Sequence, residues 1–190
     1  MKESLARLVA GEAPYVLAGC DRLPARPLLF PGSFNPLHQG HLGLLRAAEG
    51  VSGRTGLLEL SVANVDKPPL SIAEAERRLR LIDGHAPAVL TFAPTFAEKA
   101  ELFPGAWFAL GFDTAIRLLD PSYHADVPAM LARFQLLETR FFVAGRLHES
   151  RFQTLENLCI PNGFGSLFVP IPENVFRKDV SSTELRNTET

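Results

Sequence analysis

The sequence predicts an α/β fold, a Rossmann-like doubly wound parallel sheet of about five strands with helices on both faces. Three observations lead to this prediction. Short apolar runs without polar alternation recur along the chain, as expected for strands that are buried on both faces. Segments with the helical spacing of apolar residues separate these runs. The composition, 46% hydrophobic and 21% charged over 190 residues, is that of a folded chain with one substantial core.

The elements follow in order from spacing and from turn and capping signals. Ser71 and Glu74 form a capping-box pattern, and Gly84 ends the helix that they open. The predicted strands are Tyr15–Ala18, Leu28–Phe30, Leu57–Ala63, Ala88–Phe92, Trp107–Leu110, Thr139–Ala144 and Leu167–Ile171. The predicted helices are residues 4–10, Gly40–Glu49, Ser71–Asp83, Thr95–Leu102, Thr114–Leu119, Pro128–Phe134, Arg151–Leu158 and Ser182–Asn187.

We find no repeat, low-complexity tract or linker that would divide the chain. We therefore expect a single domain over residues 1–190, with residues 1–26 as an N-terminal extension. The net charge of -2 argues against general binding of nucleic acid. Cys20 and Cys159 make no disulfide or metal pattern, and the apolar runs are too short to cross a bilayer. We expect a cytoplasmic protein with neither nucleic acid nor a membrane as partner, and a homo-oligomer is left open.

The loop after the strand at Leu28–Phe30 carries the strongest chemical signal. It reads Pro-Gly-Ser-Phe-Asn-Pro-Leu-His-Gln-Gly-His and runs from Pro31 to His41. Gly32 permits a sharp turn, and His38 and His41 fall on one face of a helical first turn. A helix N-terminus with two imidazoles suits an anion such as phosphate. The alternative is that one histidine caps the helix and the other lies on the surface.

A second segment near the C-terminus reads Val-Ser-Ser-Thr-Glu-Leu-Arg. Ser181 has a glutamate three residues later, which is a capping-box pattern and predicts another helix N-terminus. Ser182 and Thr183 add hydroxyl donors, and Lys178 and Arg186 add positive charge, so the segment suits the β- and γ-phosphates of a nucleotide. The alternative is an ordinary capped helix with a solvated arginine.

These two segments resemble the H-x-G-H and S-S-T-x-x-R signatures of the nucleotidylyltransferase superfamily. The second signature is similar to the form found in the enzymes that adenylylate nicotinamide or nicotinate mononucleotide. The resemblance implies that His38, His41 and Arg186 act on the reacting phosphates. It implies nucleotide contacts from Gly32, Ser33, Phe34, Gly40, Gly111, Asp113, Lys178, Ser181, Ser182 and Thr183.

Further candidates follow other predicted strands. Asn64 and Lys67 follow the strand Leu57–Ala63, and the resemblance implies that Lys67 holds the acceptor's phosphate; a surface lysine is the alternative. Asp113 either meets ribose or the pyridine substituent, or caps the helix at Thr114. Tyr123 is a candidate for stacking on a base or pyridine ring.

Two residues receive weaker assignments. Arg146 is a candidate for nucleotide contact, with an exposed arginine as the alternative. His124 is assigned to the surface.

The expected function is therefore transfer of AMP from ATP to nicotinamide or nicotinate mononucleotide, with release of pyrophosphate. A phosphate nucleophile needs alignment and charge stabilisation rather than a covalent intermediate. We expect Mg²⁺, held mainly by the ATP phosphates, and no metal site made of protein side chains. The alternatives are transfer to another acceptor, phosphopantetheine or a phospho-alcohol, and a nucleotide-binding regulatory module without turnover.

Overall fold

A computed structural model describes residues 1–63, 65, 68–148 and 151–177. The helices are α1 (Lys2–Val9), α2 (Gln39–Ser52), α3 (Ile72–Ile82), α4 (Phe96–Leu102), α5 (Phe112–Leu119) and α6 (Val127–Leu136). The strands are β1 (Tyr15–Ala18), β2 (Leu28–Pro31), β3 (Gly56–Ser61), β4 (Ala88–Thr91), β5 (Trp107–Gly111), β6 (Arg140–Ala144), β7 (Arg146–His148), β8 (Arg151–Gln153) and β9 (Phe168–Ile171). The predicted helix Ser182–Asn187 lies outside the described residues.

Seven of these strands form one sheet in the order β1-β4-β3-β2-β5-β6-β9. The pairings from β4 to β9 are parallel, and only β1 runs antiparallel at its edge. The strand order changes direction between β2 and β5. The strands β3 and β4 lie on one side of β2, and β6 and β9 lie on the other side of β5. The carboxyl ends of these two strands therefore flank the crevice where doubly wound sheets bind ligands.

Within the described ranges, each face of the sheet carries three helices and its own apolar cluster. Leu5, Leu45 and Leu79 represent α1, α2 and α3 in the cluster on one face. Ala100, Leu118 and Phe134 represent α4, α5 and α6 in the cluster on the other face. Because both faces are covered, the strands between them are almost wholly apolar, and this confirms the predicted fold class.

The structure differs from the prediction in three places. The sheet has seven strands rather than about five, because the edge strands β1 and β9 also join it. The N-terminal residues are therefore part of the sheet, through the pairing of β1 with β4. The predicted helix Arg151–Leu158 is wrong: β7 pairs with β8 as a hairpin, and a single 3₁₀ turn at Leu155–Asn157 follows. The spacing of Leu155 and Leu158 suggested a helix. Both side chains pack against the core cluster, but they do so from an irregular segment.

Across the part of the chain that the structure covers, we find no helix with the length and apolar character that crossing a membrane requires.

Candidate active site

The turn after β2 is shaped by the ring of Phe34. A Cβ at Gly32 would lie 2.6 Å from two atoms of this ring, so only glycine fits beneath it. Phe34 has a φ of 46°, a left-handed conformation that is uncommon for a bulky residue. The Gly32 amide donates to the Glu59 carbonyl at 3.0 Å, which ties the turn to the neighbouring strand β3. Gly32 is thus required by the packing of the turn itself.

Phe34 is one of the predicted nucleotide contacts, and its side chain is not accessible to a ligand. This side chain is fully buried, with its ring edge-on to Phe30 at 5.8 Å and to His41 at 5.2 Å between centroids. An aromatic ring with no exposed surface cannot stack on a base. Only the backbone of Phe34 remains available to a ligand, and the side chain supports the imidazole of His41.

His38 and His41 cap helix α2 reciprocally. The Nδ1 of His38 accepts from the Gly40 amide at 3.1 Å, and the Nδ1 of His41 accepts from the His38 amide at 3.3 Å. The two rings stack, with centroids 3.6 Å apart and planes 23° from parallel. The sequence alternative, in which one histidine caps and the other lies on the surface, is wrong, because both cap and both are partly buried.

The capping bonds also determine which nitrogens carry protons. A ring nitrogen that accepts a backbone N–H must be unprotonated, so both imidazoles hold their proton on Nε2 when neutral. Burial, with a smaller contribution from the nearby His38, lowers the pKa of His41 to about 4. His41 is therefore a neutral hydrogen-bond donor at physiological pH, positioned at the positive end of a 14-residue helix.

Two arginines of α3 reach the same turn, and sequence reasoning did not find them. Arg78 donates to the Ser33 carbonyl at 3.1 Å, and Arg77 donates to the Asn35 side chain at 2.5 Å. Both also bind the Glu74 carboxylate at 2.8 Å, whose pKa falls to about 2 mainly through the hydrogen bonds from these arginines. Only half of the capping box predicted for Ser71 and Glu74 forms. The Glu74 amide donates to the Ser71 hydroxyl, but the Glu74 carboxylate binds the two arginines. The sequence signal that could have identified them is the adjacent pair Arg77 and Arg78 on the predicted helix Ser71–Asp83.

Gly111 and Asp113 begin α5 at the carboxyl end of β5. Gly111 is the N-cap residue, and a Cβ built there would have no atom within 4 Å, so this position faces open space. The alternative that Asp113 caps the helix is wrong, since α5 begins at Phe112 and Asp113 lies within its first turn. Asp113 instead forms an ion pair with Arg146 of the β7–β8 hairpin. The hairpin is therefore joined to α5 at the edge of the crevice.

A cavity of about 400 Å³ opens beside the turn and is lined by residues of α3, α4 and α5. Tyr123, a predicted acceptor residue, lines it and is half exposed, with the Arg117 guanidinium 5.0 Å from its ring centre. His124, which is assigned to the surface, is partly buried and also lines this cavity. The described lining residues further include Gly32, Ser33, Glu59, Ser61, Arg78, Thr95, Phe96, Lys99 and Thr114.

The chain returns to α2 just before the second sequence motif. The Phe176 ring lies 3.0 Å from where a Cβ of Gly43 would stand, so this glycine accommodates the ring against the helix. The Arg177 guanidinium lies 5.1 Å from the ring centre of Phe152 in β8. Directly before Lys178, Phe176 thus contacts α2 and Arg177 contacts the hairpin.

Several predicted site residues fall outside the part of the chain that the structure describes. These are Asn64, Lys67, Lys178, Ser181, Ser182, Thr183 and Arg186. Among the described residues, no group of three or more His, Cys, Asp or Glu side chains could hold a metal ion. The donor set at the crevice is made of imidazoles, amides and cations, which suits phosphate rather than a bare metal.

The fold and the paired histidines at the sheet crevice describe a nucleotidylyltransferase, and sequence comparison agrees. A family model described as "Cytidylyltransferase-like" matches residues 29–188, and the chain belongs to this family of nucleotidyltransferases. Among curated proteins, it is 30% identical over 177 residues to a "Probable nicotinate-nucleotide adenylyltransferase" of Gloeobacter violaceus. That match covers 83% of this chain and 81% of the relative. The superfamily predicted from the two motifs is thus confirmed.

Proposed function

We propose that this enzyme transfers AMP from ATP to nicotinate or nicotinamide mononucleotide and releases pyrophosphate. One observation carries the proposal: two different sites meet at the turn Gly32–Ser33. On one side stand the capped histidines at the N-terminus of α2, and on the other opens the cavity of about 400 Å³. A transferase that joins two nucleotides needs two such sites that share one reacting centre.

The nucleotide side is suited to the triphosphate of ATP. Two imidazoles with Nε2 protons, backed by the helix dipole, can donate to phosphate oxygens as negative charge develops. Gly111 leaves room for backbone contact with the nucleoside. Ser182, Thr183, Lys178 and Arg186 are proposed to contact the β- and γ-phosphates, since Phe176, two residues before Lys178, packs against α2. The choice of ATP over CTP rests on the form of the second motif and on the name of the curated relative.

The cavity is suited to an aromatic ring attached to a phosphate. Phe96 and Tyr123 offer aromatic faces, while Arg78 and Arg117 offer positive charge along its wall. Its volume falls in the range of pockets that bind small ligands. Lys67 and Asn64 are proposed to complete the phosphate site from the segment after β3. A pyridine mononucleotide combines the ring and the phosphate that this lining requires.

The proposed reaction is in-line attack by the acceptor's phosphate on the α-phosphorus of ATP. This phosphate has a second pKa near 6 and is already ionised at neutral pH, so it needs no general base. The neutral His41 accordingly serves as a donor and not as a base. Mg²⁺, bound by the ATP phosphates and water, would neutralise charge on the leaving pyrophosphate. The enzyme contributes alignment and donors that are already in place.

The test is pyrophosphate release with Mg²⁺, in which ATP and CTP are each combined with nicotinate mononucleotide, nicotinamide mononucleotide and phosphopantetheine. Turnover with ATP and at least one pyridine mononucleotide is expected, and chelation of Mg²⁺ should abolish it. Omission of the acceptor controls for simple hydrolysis of ATP. Turnover only with phosphopantetheine or only with CTP would refute the proposal, and so would binding of ATP without any product.

A further inference from the structure

A buried ion pair lies beneath the cavity and was not found from the sequence. Glu59 of β3 is fully buried, and Lys99 of α4 is only 3% exposed. The Lys99 ammonium lies 3.5 Å from Glu59 Oε2. Removing two charges from water costs several kcal/mol per ion, so a buried pair is weak support for stability by itself. Its position therefore calls for a functional explanation.

The hydrogen bonds of this pair are incomplete. Glu59 Oε1 accepts from the Thr91 hydroxyl at 2.6 Å, while Oε2 has no hydrogen-bond partner among the described groups. Lys99 donates to the Ala93 carbonyl, which fixes the ammonium against the turn between β4 and α4. An ammonium carries three donors. The Ala93 carbonyl takes one of them, and a second is directed toward a carboxylate at the limit of hydrogen-bond distance.

The two partners differ in what a ligand can reach. Both contribute to the cavity floor, but Glu59 has no exposed surface and Lys99 retains a little. The lining also contains Arg78, Arg117 and His124, and Glu59 is the only acidic residue among the described lining residues. Burial raises the pKa of the Glu59 carboxyl, and the nearby Lys99 opposes this. The reachable surface of the cavity is therefore cationic.

We propose that Lys99 binds a carboxylate on the aromatic ring of the acceptor, with Glu59 as its buried counter-ion. The preferred acceptor is then nicotinate mononucleotide, and its carboxylate faces the cavity floor. This inference rests on the proposed function. A carboxamide carries no charge, so it would gain only a hydrogen bond to a neutral oxygen from the Lys99 ammonium. A ring carboxylate, in contrast, would gain a charge-assisted hydrogen bond from an ammonium that Ala93 and Glu59 already hold in place.

The experiment compares kcat/KM for the nicotinate and nicotinamide mononucleotides, each with ATP, in the wild type and in Lys99→Met. Methionine keeps most of the side-chain length and removes the charge. The wild type is expected to prefer the carboxylate acceptor by about tenfold or more, as for loss of one charge-assisted hydrogen bond. Lys99→Met should remove most of this preference by reducing turnover of the carboxylate acceptor alone. Lys2→Met, on the exposed face of α1, is the control for loss of a lysine charge.

A double variant, Lys99→Met with Glu59→Gln, removes both charges and guards against misfolding caused by an unpaired buried carboxylate. It is expected to fold, as measured by thermal unfolding, and to show the same loss of preference. A wild type that prefers the amide acceptor, or variants that keep the carboxylate preference, would overturn the inference and leave the proposed function standing. Absence of turnover with both mononucleotides would instead overturn the proposed function, and the inference with it.

Discussion

The imidazoles of His38 and His41 stack with centroids 3.6 Å apart, and each uses Nδ1 to accept a backbone N–H of the same helix turn. The structural task of both rings is thus carried by Nδ1, and the Nε2 proton of His41 is the group that we propose to serve a phosphate. Because the two tasks use different atoms, substitutions can separate them. Simple replacement by alanine would remove both at once.

His41→Asn is the variant that keeps the cap and removes the donor. The asparagine oxygen can take the place of Nδ1 and accept from the His38 amide, while no group remains near the position of Nε2. We expect kcat to fall by about 10²–10³, the usual effect of losing one preorganised donor to a transition state. ATP affinity, measured by calorimetry, should change little. A near-normal kcat in a folded His41→Asn enzyme would show that His41 does not act on the transition state.

The low pKa of His41 makes stability depend on pH in a defined window. The folded state resists protonation of this ring down to a pKa of about 4, while the unfolded state takes up the proton near 6.5. The contribution of the neutral His41 to the free energy of unfolding is therefore complete above pH 6.5 and is lost as the pH falls toward 4. We expect a loss of the order of 2 kcal/mol, since partial exposure of the ring reduces the full effect. Urea unfolding at several pH values measures it.

His41→Asn provides the reference for that measurement, because it lacks the titrating ring. The difference in unfolding free energy between wild type and variant should shrink below pH 6.5. A constant difference down to pH 4 would mean that His41 titrates normally and is not desolvated.

Gly32 and Gly111 are expected to respond to alanine in opposite ways. Gly32→Ala places a Cβ 2.6 Å from the Phe34 ring and should destabilise the fold by about 1–3 kcal/mol. Gly111→Ala meets no atom within 4 Å and should leave thermal stability nearly unchanged. If the nucleotide approaches the backbone here, the same methyl should weaken ATP binding by about tenfold or more. Unchanged ATP affinity in Gly111→Ala would place the nucleotide elsewhere.

Arg77 and Arg78 offer a matched pair for the acceptor site. Both bind Glu74, but only Arg78 lines the cavity. Arg78→Met should raise KM for the acceptor by about tenfold or more, the effect expected for a hydrogen bond to a charged group, with little change in KM for ATP. Arg77→Met should affect both values far less. Equal effects of the two variants would indicate a role in holding the turn rather than in binding substrate.

Phe176 is expected to matter for activity because it seats the chain on α2 just before the second motif. Phe176→Ala removes the ring that fits against Gly43, and should lower kcat/KM for ATP by about tenfold or more by displacing the segment that we propose to bind phosphate. Val175→Ala, at a half-exposed neighbour, is the control and should stay near wild type. Wild-type kinetics in Phe176→Ala would show that the seating of Phe176 on α2 is not needed for ATP binding or turnover.

The sequence by itself determined the fold class and the position of the histidine motif. Strands buried on both faces must be apolar throughout, so β2 to β6 stand out as runs, and the helix after β2 follows from its spacing. The hairpin β7–β8 could not be predicted, because strands of three residues carry too little pattern. The resemblance of the two motifs to one superfamily was also available from sequence, and comparison confirmed it.

Only the tertiary structure decided which side chains share a site. Arg78 meets Ser33 across 45 positions, Lys99 meets Glu59 across 40, and Asp113 meets Arg146 across 33, and no local pattern contains such pairs. It also decided that the Phe34 ring supports His41 and does not face a ligand, because burial depends on what the rest of the chain places around it. Local spacing specifies helices and turns, whereas a binding site depends on which strand ends the sheet order brings together.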